Sequence, residues 1–142
     1  VVIFHVFNQS GIDIITRLKK LKYNYAAMNV TAEGSKVDEY KKFKQNTKTQ
    51  ILVVNIASGG EGLNLQNANY CLIYEHTDRP DVFRQALKRC HRTGQQKKVY
   101  VYQLYMKNSV EVKIMEFLSE GKSLFSAVVD GKMDLKELLM DE

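Results

Sequence analysis

Three side chains in the second half of the chain have the types and the spacing to bind an anion. In the segment RQALKRCHRTGQ, Gln85, Arg89 and Arg92 stand at positions i, i+4 and i+7, which places them on one face of a helix. Two guanidinium groups on one stripe repel each other unless an anion lies opposite them. The spacing fits a solvated basic face and equally an arginine finger with a partner arginine, reaching for a nucleotide phosphate held elsewhere.

A glycine-rich segment, ASGGEGLNL at residues 57–65, is the second candidate for anion binding. Its glycines, Gly59, Gly60 and Gly62, free the backbone for positive φ and for the close approach of another molecule. Successive exposed amides in such a loop can form an anion-binding nest, to which Ser58 and Asn64 would add side-chain hydrogen bonds. We predict that this loop contacts a phosphate or a nucleotide, with a plain surface turn as the alternative.

The parts that would hydrolyse a nucleotide are missing from the sequence. The tripeptide GKS at residues 121–123 matches the end of a P-loop, but the first glycine of that motif would fall at Glu116. The segment also follows a predicted helix and not a strand, and no acidic cluster suited to Mg²⁺ follows a strand. Zinc is not expected either, because the spacings of Cys71 and Cys90 with the histidines fit no known finger.

Strands that alternate with helices must position these groups. Short apolar runs predict strands at residues 1–7, 25–30, 50–57, 70–75 and 99–106. Amphipathic patterns predict helices at residues 11–21 and 35–45, from Pro80 towards His91, and at 110–118 and 132–140. This order indicates an α/β domain with a mostly parallel sheet. Chemistry is then expected in the loops that follow the strands, namely Asn8–Gly11, Ala57–Asn67 and His76–Arg79.

The side-chain pattern also predicts what each element buries. On the first helix the apolar face is expected to comprise Ile12, Ile15, Leu18 and Leu21, with Asn8 or Ser10 as the cap. On the third helix the packing side is expected to comprise Phe83, Ala86, Leu87 and Cys90. His5 is expected to be a core or edge residue of the first strand. Tyr100 and Tyr102 share one strand face, which favours sheet packing over base stacking.

Length and charge suggest one intracellular domain with a polyanionic partner. The 142 residues suit a single core, no window approaches the length of a membrane span, and two cysteines are too few for a disulfide framework. Residues 1–108 carry 17 Lys and Arg against 8 Asp and Glu, whereas residues 109–142 carry 4 against 8. Because the first residues already have the pattern of a strand, we expect the chain to be part of a longer protein.

Read together, these segments resemble the second RecA-like lobe of superfamily 2 helicases, most closely that of the Swi/Snf DNA translocases. VVIFHVF is similar to the family's fourth motif, residues 55–65 with SGGEGLNL to the fifth, and QALKRCHRTGQ at residues 85–95 to the sixth. The resemblance covers residues 1–116 and implies a three-layer RecA-like fold with helices on both faces of the sheet. It implies a lobe at residues 1–118, followed by a helical extension at 119–142.

The resemblance also implies a role for each matching residue. Arg92 would be the arginine finger that completes an ATP site, supported by Arg89 and Gln85, while Gly60, Gly62 and Asn64 would approach the nucleotide. Backbone contacts with double-stranded DNA would come from Ser10, Asn55, Ser58 and Gly59. ATP and Mg²⁺ would be held mainly by an N-terminal RecA-like lobe that this chain lacks, so the chain alone would be inactive.

The sequence departs from the family pattern at three places, and other functions stay open. Asn55-Ile56 stands where the family often has Ser-Thr, Asp78-Arg79-Pro80 replaces Trp-Asn-Pro, and NVTA replaces Asp-Gly-Ser-Thr near residues 29–32. A lobe of an RNA helicase and a non-enzymatic, basic nucleic-acid-binding module are the alternatives. The expected location is nuclear for a eukaryotic source and cytoplasmic for a bacterial or viral one.

Overall fold

The computed structural model describes residues 1–30, 35–60, 62–77, 79–107, 109 and 112. The chain divides into two compact units, Val1–Leu104 and Tyr105–Glu142, and the architecture given below is that of the first unit. Apart from residue 112, the helices predicted at residues 110–118 and 132–140 lie outside the described residues, as does the boundary predicted after residue 118. That division of the chain stays a prediction.

Strands and helices alternate along the first unit. The described strands are β1 (Val2–His5), β2 (Tyr25–Met28), β3 (Ile51–Asn55), β4 (Tyr70–Ile73) and β5 (Tyr100–Gln103). The described helices are α1 (Asn8–Lys20), α2 (Lys36–Gln45) and α3 (Pro80–Cys90), and a 3₁₀ turn (Ile56–Gly60) follows β3. None of the helices in these described segments is both long and apolar enough to cross a membrane.

The five strands form one sheet in the order β2-β3-β1-β4-β5, and every neighbouring pair is parallel. One face packs against Phe43 of α2 and against Ala86 and Cys90 of α3. The other face packs against Ile15 and Leu18 of α1. The predicted α/β class, with helices on both faces of a parallel sheet, is therefore confirmed.

The core explains why the central strands have contiguous apolar sequences. Val2 and Phe4 of β1 and Leu52 and Val54 of β3 are fully buried on the α2 and α3 side, while Val53 is buried on the α1 side. Each such side chain stabilises the fold by roughly 1.5–3 kcal/mol relative to an exposed one. Because both faces are covered, alternation of polar and apolar residues is not required in these strands.

Helix α1 differs from its prediction in both its start and its buried face. It begins at Asn8, with Phe7 as the N-cap residue and no side-chain cap, so residues 8–11 are its first turn and not a loop. Its buried residues are Gly11, Ile15 and Leu18, whereas Ile12 and Leu21 are 39% and 51% exposed.

The cause of this difference is the close approach of α1 to the sheet at Gly11. A Cβ atom at Gly11 would lie 2.6 Å from Cε1 of His5 and 2.8 Å from Cγ1 of Val30. The helix therefore touches the sheet at Gly11, and the residues four and seven positions later share that face. Ile12 is turned outwards as a consequence.

The other side-chain predictions mostly hold. On α3, Ala86 and Cys90 are buried and Phe83 and Leu87 pack against the same core, as predicted. His5 is fully buried. Tyr100 and Tyr102 share a face and both stack on Tyr70 of β4, with ring centroids 5.2 and 6.4 Å apart, although all three rings are about half exposed.

Candidate functional site

An open groove of about 540 Å³ lies along the end of α3 and the turn that follows it. The residues that line it are Gln85, Lys88, Arg89, His91, Arg92 and Thr93. The three side chains singled out by their spacing, Gln85, Arg89 and Arg92, therefore share one groove. Gln85 and Arg92 are exposed and Arg89 is half-buried, so all three are accessible to a partner.

Arg92 reaches this groove from a turn and not from the helix. Helix α3 ends at Cys90, so the prediction that Arg92 continues the helical stripe is wrong. The turn closes with a hydrogen bond from the backbone N–H of Gln95 to the carbonyl of Arg92, 2.9 Å. Gly94 has a φ of 100°, which a residue with a side chain adopts only at a cost.

The groove is strongly cationic. Lys88, Arg89 and Arg92 are the basic residues of its lining, and none of the described lining residues is acidic. Among the described residues, the Arg92 guanidinium has no hydrogen-bond or ion-pair partner. Lys88 and Arg89 lie in the last turn of α3, where the helix dipole stabilises each cation by about 0.3–1 kcal/mol. This part of the fold thus holds its cations close together and suits a polyanionic ligand.

The loop after the 3₁₀ turn runs beside the groove. The backbone N–H of Leu65 donates to the carbonyl of Arg89, 3.1 Å, which ties the loop to the arginine-bearing helix. The Tyr40 hydroxyl of α2 donates to the Asn64 carbonyl, 2.7 Å, and accepts from the Asn64 N–H, 3.2 Å. The Asn64 side chain accepts from the N–H of Gln66, 3.2 Å. Asn64 is thus held firmly next to the groove without lining it.

The glycines of this loop take different conformations. Gly59 and Gly60 end the 3₁₀ turn, whereas Gly62 has a φ of 74°. The expected positive φ is therefore found at Gly62 alone among the three. Neither Gly60 nor Gly62 belongs to the groove lining, and their predicted contact with a nucleotide stays a prediction.

A second polar cluster occupies the edge of the sheet where the strands end, and Glu75 is at its centre. One carboxylate oxygen of Glu75 accepts the backbone N–H groups of Val6, 2.9 Å, and Phe7, 3.1 Å. The other oxygen accepts the hydroxyl of Ser10. Glu75 therefore joins the segment after β4 to the turn between β1 and α1 and to the first turn of α1.

The protonation of this cluster follows from its contacts. Burial raises the pKa of Glu75, but the hydrogen bonds from Ser10, Phe7 and Val6 and the electrostatic interaction with His5 outweigh it, and the pKa lies below its usual 4.5. Burial lowers the pKa of His5, and the hydrogen bond to Phe7 and the charge of Glu75 only partly oppose this. Glu75 is therefore an anion and His5 is neutral at pH 7.

The predicted nucleic-acid contacts all lie at this same edge, yet their side chains are used differently. Asn55 donates to the Val6 carbonyl, 2.7 Å, and accepts the Ala57 N–H, 3.0 Å, so both ends of its amide are engaged. The Ser10 hydrogen is directed at Glu75. By contrast, the Ser58 hydroxyl accepts a hydrogen from the Asn29 amide and keeps its own hydrogen to donate. Gly59 follows Ser58 in the 3₁₀ turn.

Four residues of these networks were not singled out from the sequence: Tyr40, Gln66, Glu75 and Gln95. Gln95 ends the segment HRTGQ, so its position beside the arginines was a usable signal. Glu75 lies two residues after the end of β4, where polar residues of a parallel sheet gather. Tyr40 and Gln66 had no signal, because their partners are distant in sequence.

Comparison with known proteins identifies what this chain is similar to. A family model described as the helicase conserved C-terminal domain matches residues 1–94. The chain is 31% identical to the putative helicase 172L of Invertebrate iridescent virus 6, over 96% of the chain and 23% of that relative. It is 30% identical to the ATP-dependent helicase ULS1 of Saccharomyces cerevisiae, over 92% of the chain and 8% of that relative.

One further relative and one solved structure are also similar to this chain. The chain is 32% identical to the chromatin-remodeling ATPase INO80 of Candida albicans, over 81% of the chain and 9% of that relative. The crystal structure of the C-terminal part of the Fun30 ATPase domain superimposes with a TM-score of 0.74 at 31% identity, covering 81% of this chain and 37% of that one. The chain thus spans less than a quarter of the length of these three curated relatives.

Proposed function

Because this chain belongs to the helicase conserved C-terminal domain family, as a second RecA-like lobe of the Swi/Snf type, we propose that it supplies half of a composite ATP site in a DNA-dependent ATPase. Arg92 is the arginine finger in this proposal, and Arg89 and Gln85 support it at the phosphates. By name, the three relatives are a putative helicase, an ATP-dependent helicase and a chromatin-remodeling ATPase, which favours a motor that acts on DNA.

The observation that carries the proposal is the cationic groove at the end of α3. Gln85, Arg89 and Arg92 line it together, and the Arg92 guanidinium has no partner within the described part of the chain. A guanidinium held without a counter-ion is suited to the charge that develops on a transferred phosphoryl group, where such a finger raises the rate by about 10³–10⁵. A purely structural arginine would be paired within its own lobe.

ATP and Mg²⁺ are assigned mainly to the other lobe. The sequence has no P-loop, and the described groove lining offers cations to a triphosphate but no carboxylate to a metal. When bound, ATP with Mg²⁺ supplies the phosphoryl group and the charge neutralisation of its leaving group. Arg92, Arg89 and Gln85 orient and stabilise the phosphates from this side, and Gly60, Gly62 and Asn64 approach the rest of the nucleotide.

DNA is proposed to bind at the sheet edge where the strands end. Of the four predicted contact residues, Ser58 is the one whose hydroxyl hydrogen stays available for a phosphate, and the backbone of Gly59 lies next to it. Ser10 and Asn55 shape this edge through Glu75 and the Val6 carbonyl. Contacts of this kind are salt-sensitive and nearly independent of sequence, as a motor that tracks the DNA backbone requires.

The test is ATP hydrolysis by the two-lobed parent polypeptide, with and without double-stranded DNA. The Arg92→Ala variant is expected to lose at least about 10³-fold in DNA-stimulated kcat. Arg84→Ala is the matched control, because Arg84 is an exposed arginine of the same helix outside the groove lining. The 142-residue chain alone is expected to show no hydrolysis.

Two outcomes would contradict the proposal. Hydrolysis that is indifferent to Arg92→Ala would remove the finger assignment and favour a basic binding module without catalysis. Stimulation by double-stranded RNA instead of DNA would assign the lobe to an RNA helicase of the same superfamily.

A further inference from the structure

The position of Arg92 needs a structural explanation, because no helix carries it. Helix α3 ends two residues earlier at Cys90, and the side chain of Arg92 is exposed. An arginine on a free turn would sample many positions, and a finger must be held where the phosphoryl charge develops. The hydrogen bonds of the turn show what holds its backbone.

The side-chain amide of Gln95 binds both flanks of this turn. The two hydrogens of its Nε2 are shared among the carbonyls of Gln66, 2.9 Å, Ala68, 3.0 Å, and Cys90, 3.3 Å. Its Oε1 accepts the backbone N–H of Lys97, 3.1 Å. One half-buried amide therefore fixes the last carbonyl of α3, the loop before β4 and the backbone beyond the turn.

Gln66 holds the turn from the opposite side. Its Nε2 donates to the carbonyl of Thr93, the residue directly after Arg92. Its Oε1 accepts from the Asn64 amide, 3.3 Å, so the same side chain reaches the loop beside the groove. A Cβ atom at Gly94 would lie 3.1 Å from Nε2 of Gln66, so a glycine at position 94 lets the two segments meet.

We propose that Gln95 and Gln66 are positioning residues that hold Arg92 in the groove. The Gln95 amide binds the carbonyl of Cys90, two residues before Arg92. The Gln66 amide binds the carbonyl of Thr93, one residue after Arg92. The backbone N–H of Gln95 binds the carbonyl of Arg92 itself. The backbone at Arg92 is thereby fixed on both sides while its guanidinium stays available. This inference rests on the proposed role of Arg92 in ATP hydrolysis.

The expected effect appears in kcat and not in substrate binding. Gln95→Met keeps the size of the side chain and removes every hydrogen bond of its amide. We expect it to lower the DNA-stimulated kcat of the two-lobed parent by about 10- to 100-fold, since small displacements of a catalytic group have effects of this size. KM for ATP should change by less than about threefold, because the finger acts on the transition state. Gln96→Met is the matched control, since Gln96 is the exposed neighbouring glutamine.

A double-mutant cycle distinguishes positioning from general stability. If Gln95 acts through Arg92, adding Gln95→Met to Arg92→Ala should cost no more than about twofold in kcat. A further loss as large as that of Gln95→Met alone would overturn the inference. An Arg92→Ala variant with normal kcat would instead overturn the proposed function. Gln66→Met, which leaves the bonds of Gln95 in place, gives the same cycle if Gln95→Met does not fold.

Discussion

The imidazole of His5 is fully buried and lies against Gly11 of α1. Its Nδ1 lies 2.9 Å from the Phe7 carbonyl, and because a carbonyl only accepts, Nδ1 carries the hydrogen. Its Nε2 is buried and has no hydrogen-bond partner among the described residues. Protonation would place a charge on that nitrogen, which is buried beside Gly11.

We predict that this histidine makes the fold sensitive to acid. Its folded pKa lies below the ordinary 6.5, so below pH 6.5 the unfolded chain binds the proton more readily. The stabilising contribution is complete above pH 6.5 and is lost as the pH falls towards the folded pKa, by at most about 1.4 kcal/mol per pH unit. Denaturant unfolding of the full chain between pH 7.5 and 5.5 measures this loss.

A matched pair of variants assigns the effect to His5. His5→Asn retains a donor to the Phe7 carbonyl but cannot titrate, so its unfolding free energy should vary less over this pH range. His91→Asn removes an exposed histidine and should keep the slope of the natural sequence. Equal slopes for the natural chain and His5→Asn would contradict the prediction. Glu75 titrates below this range, since its pKa lies below 4.5.

At the scale of elements, the loop beside the groove depends on one hydroxyl from another helix. The Tyr40 hydroxyl donates a hydrogen bond to the carbonyl of Asn64 and accepts one from its N–H. These two hydrogen bonds connect Asn64 to α2. Tyr40→Phe removes both bonds and keeps the ring. We expect the free energy of unfolding to fall by about 1–2 kcal/mol, because two net hydrogen bonds are lost and a half-buried peptide group is left unpaired.

Hydrogen exchange locates this effect in the loop. Protection of the Asn64 amide should decrease more than that of the β3 amides, because the loop opens before the sheet does. Tyr23→Phe is the control, since the Tyr23 ring is 57% exposed and its change should stay within about 0.5 kcal/mol. Unaltered protection of Asn64 in Tyr40→Phe would show that the loop is held by its other contacts.

The elements themselves could be predicted from the sequence, because their signals are local. The segments around β1 and β3 are contiguous apolar runs, as strands covered on both faces must be, and Pro80 does begin α3. Helix boundaries were less predictable. The N-cap residue of α1 and the turn after α3 are bound by residues distant in sequence, namely Glu75 for the first and Gln66 for the second.

Only part of the candidate site could be predicted from the sequence. The grouping of Gln85 and Arg89 follows from helical spacing alone. The position of Arg92 does not follow from spacing, because it depends on the side-chain amides of Gln95 and Gln66, which bind the turn from its two sides. The use of the Ser10 hydroxyl by Glu75, 65 residues away, has no counterpart in any local pattern.

On the scale of the whole molecule, charge is distributed in a way that stabilises the helices. The last turn of α1 contains Arg17, Lys19 and Lys20, and that of α2 contains Lys42 and Lys44. Asp38 and Glu39 lie in the first turn of α2. In each case the charge opposes the helix dipole. Many of the lysines therefore have a structural reason, and the excess of positive charge in residues 1–108 does not by itself identify the nucleic-acid surface.

Salt dependence separates the two kinds of contact that the proposed DNA edge would make. The 142-residue chain is expected to bind double-stranded DNA weakly, with log K falling linearly with log salt by about 0.9 for each phosphate neutralised.

Ser58→Ala removes a neutral donor, so it should lower the affinity by about two- to tenfold at every salt concentration and leave the slope unchanged. Lys36→Ala, at the start of α2 on the same edge, should reduce the slope by about 1. Fluorescence anisotropy over a salt series measures both quantities. Full binding retained at about 1 M salt would contradict the backbone-contact picture. A reduced slope in Ser58→Ala would show that this serine acts by shaping the edge for a cation and not by donating to a phosphate.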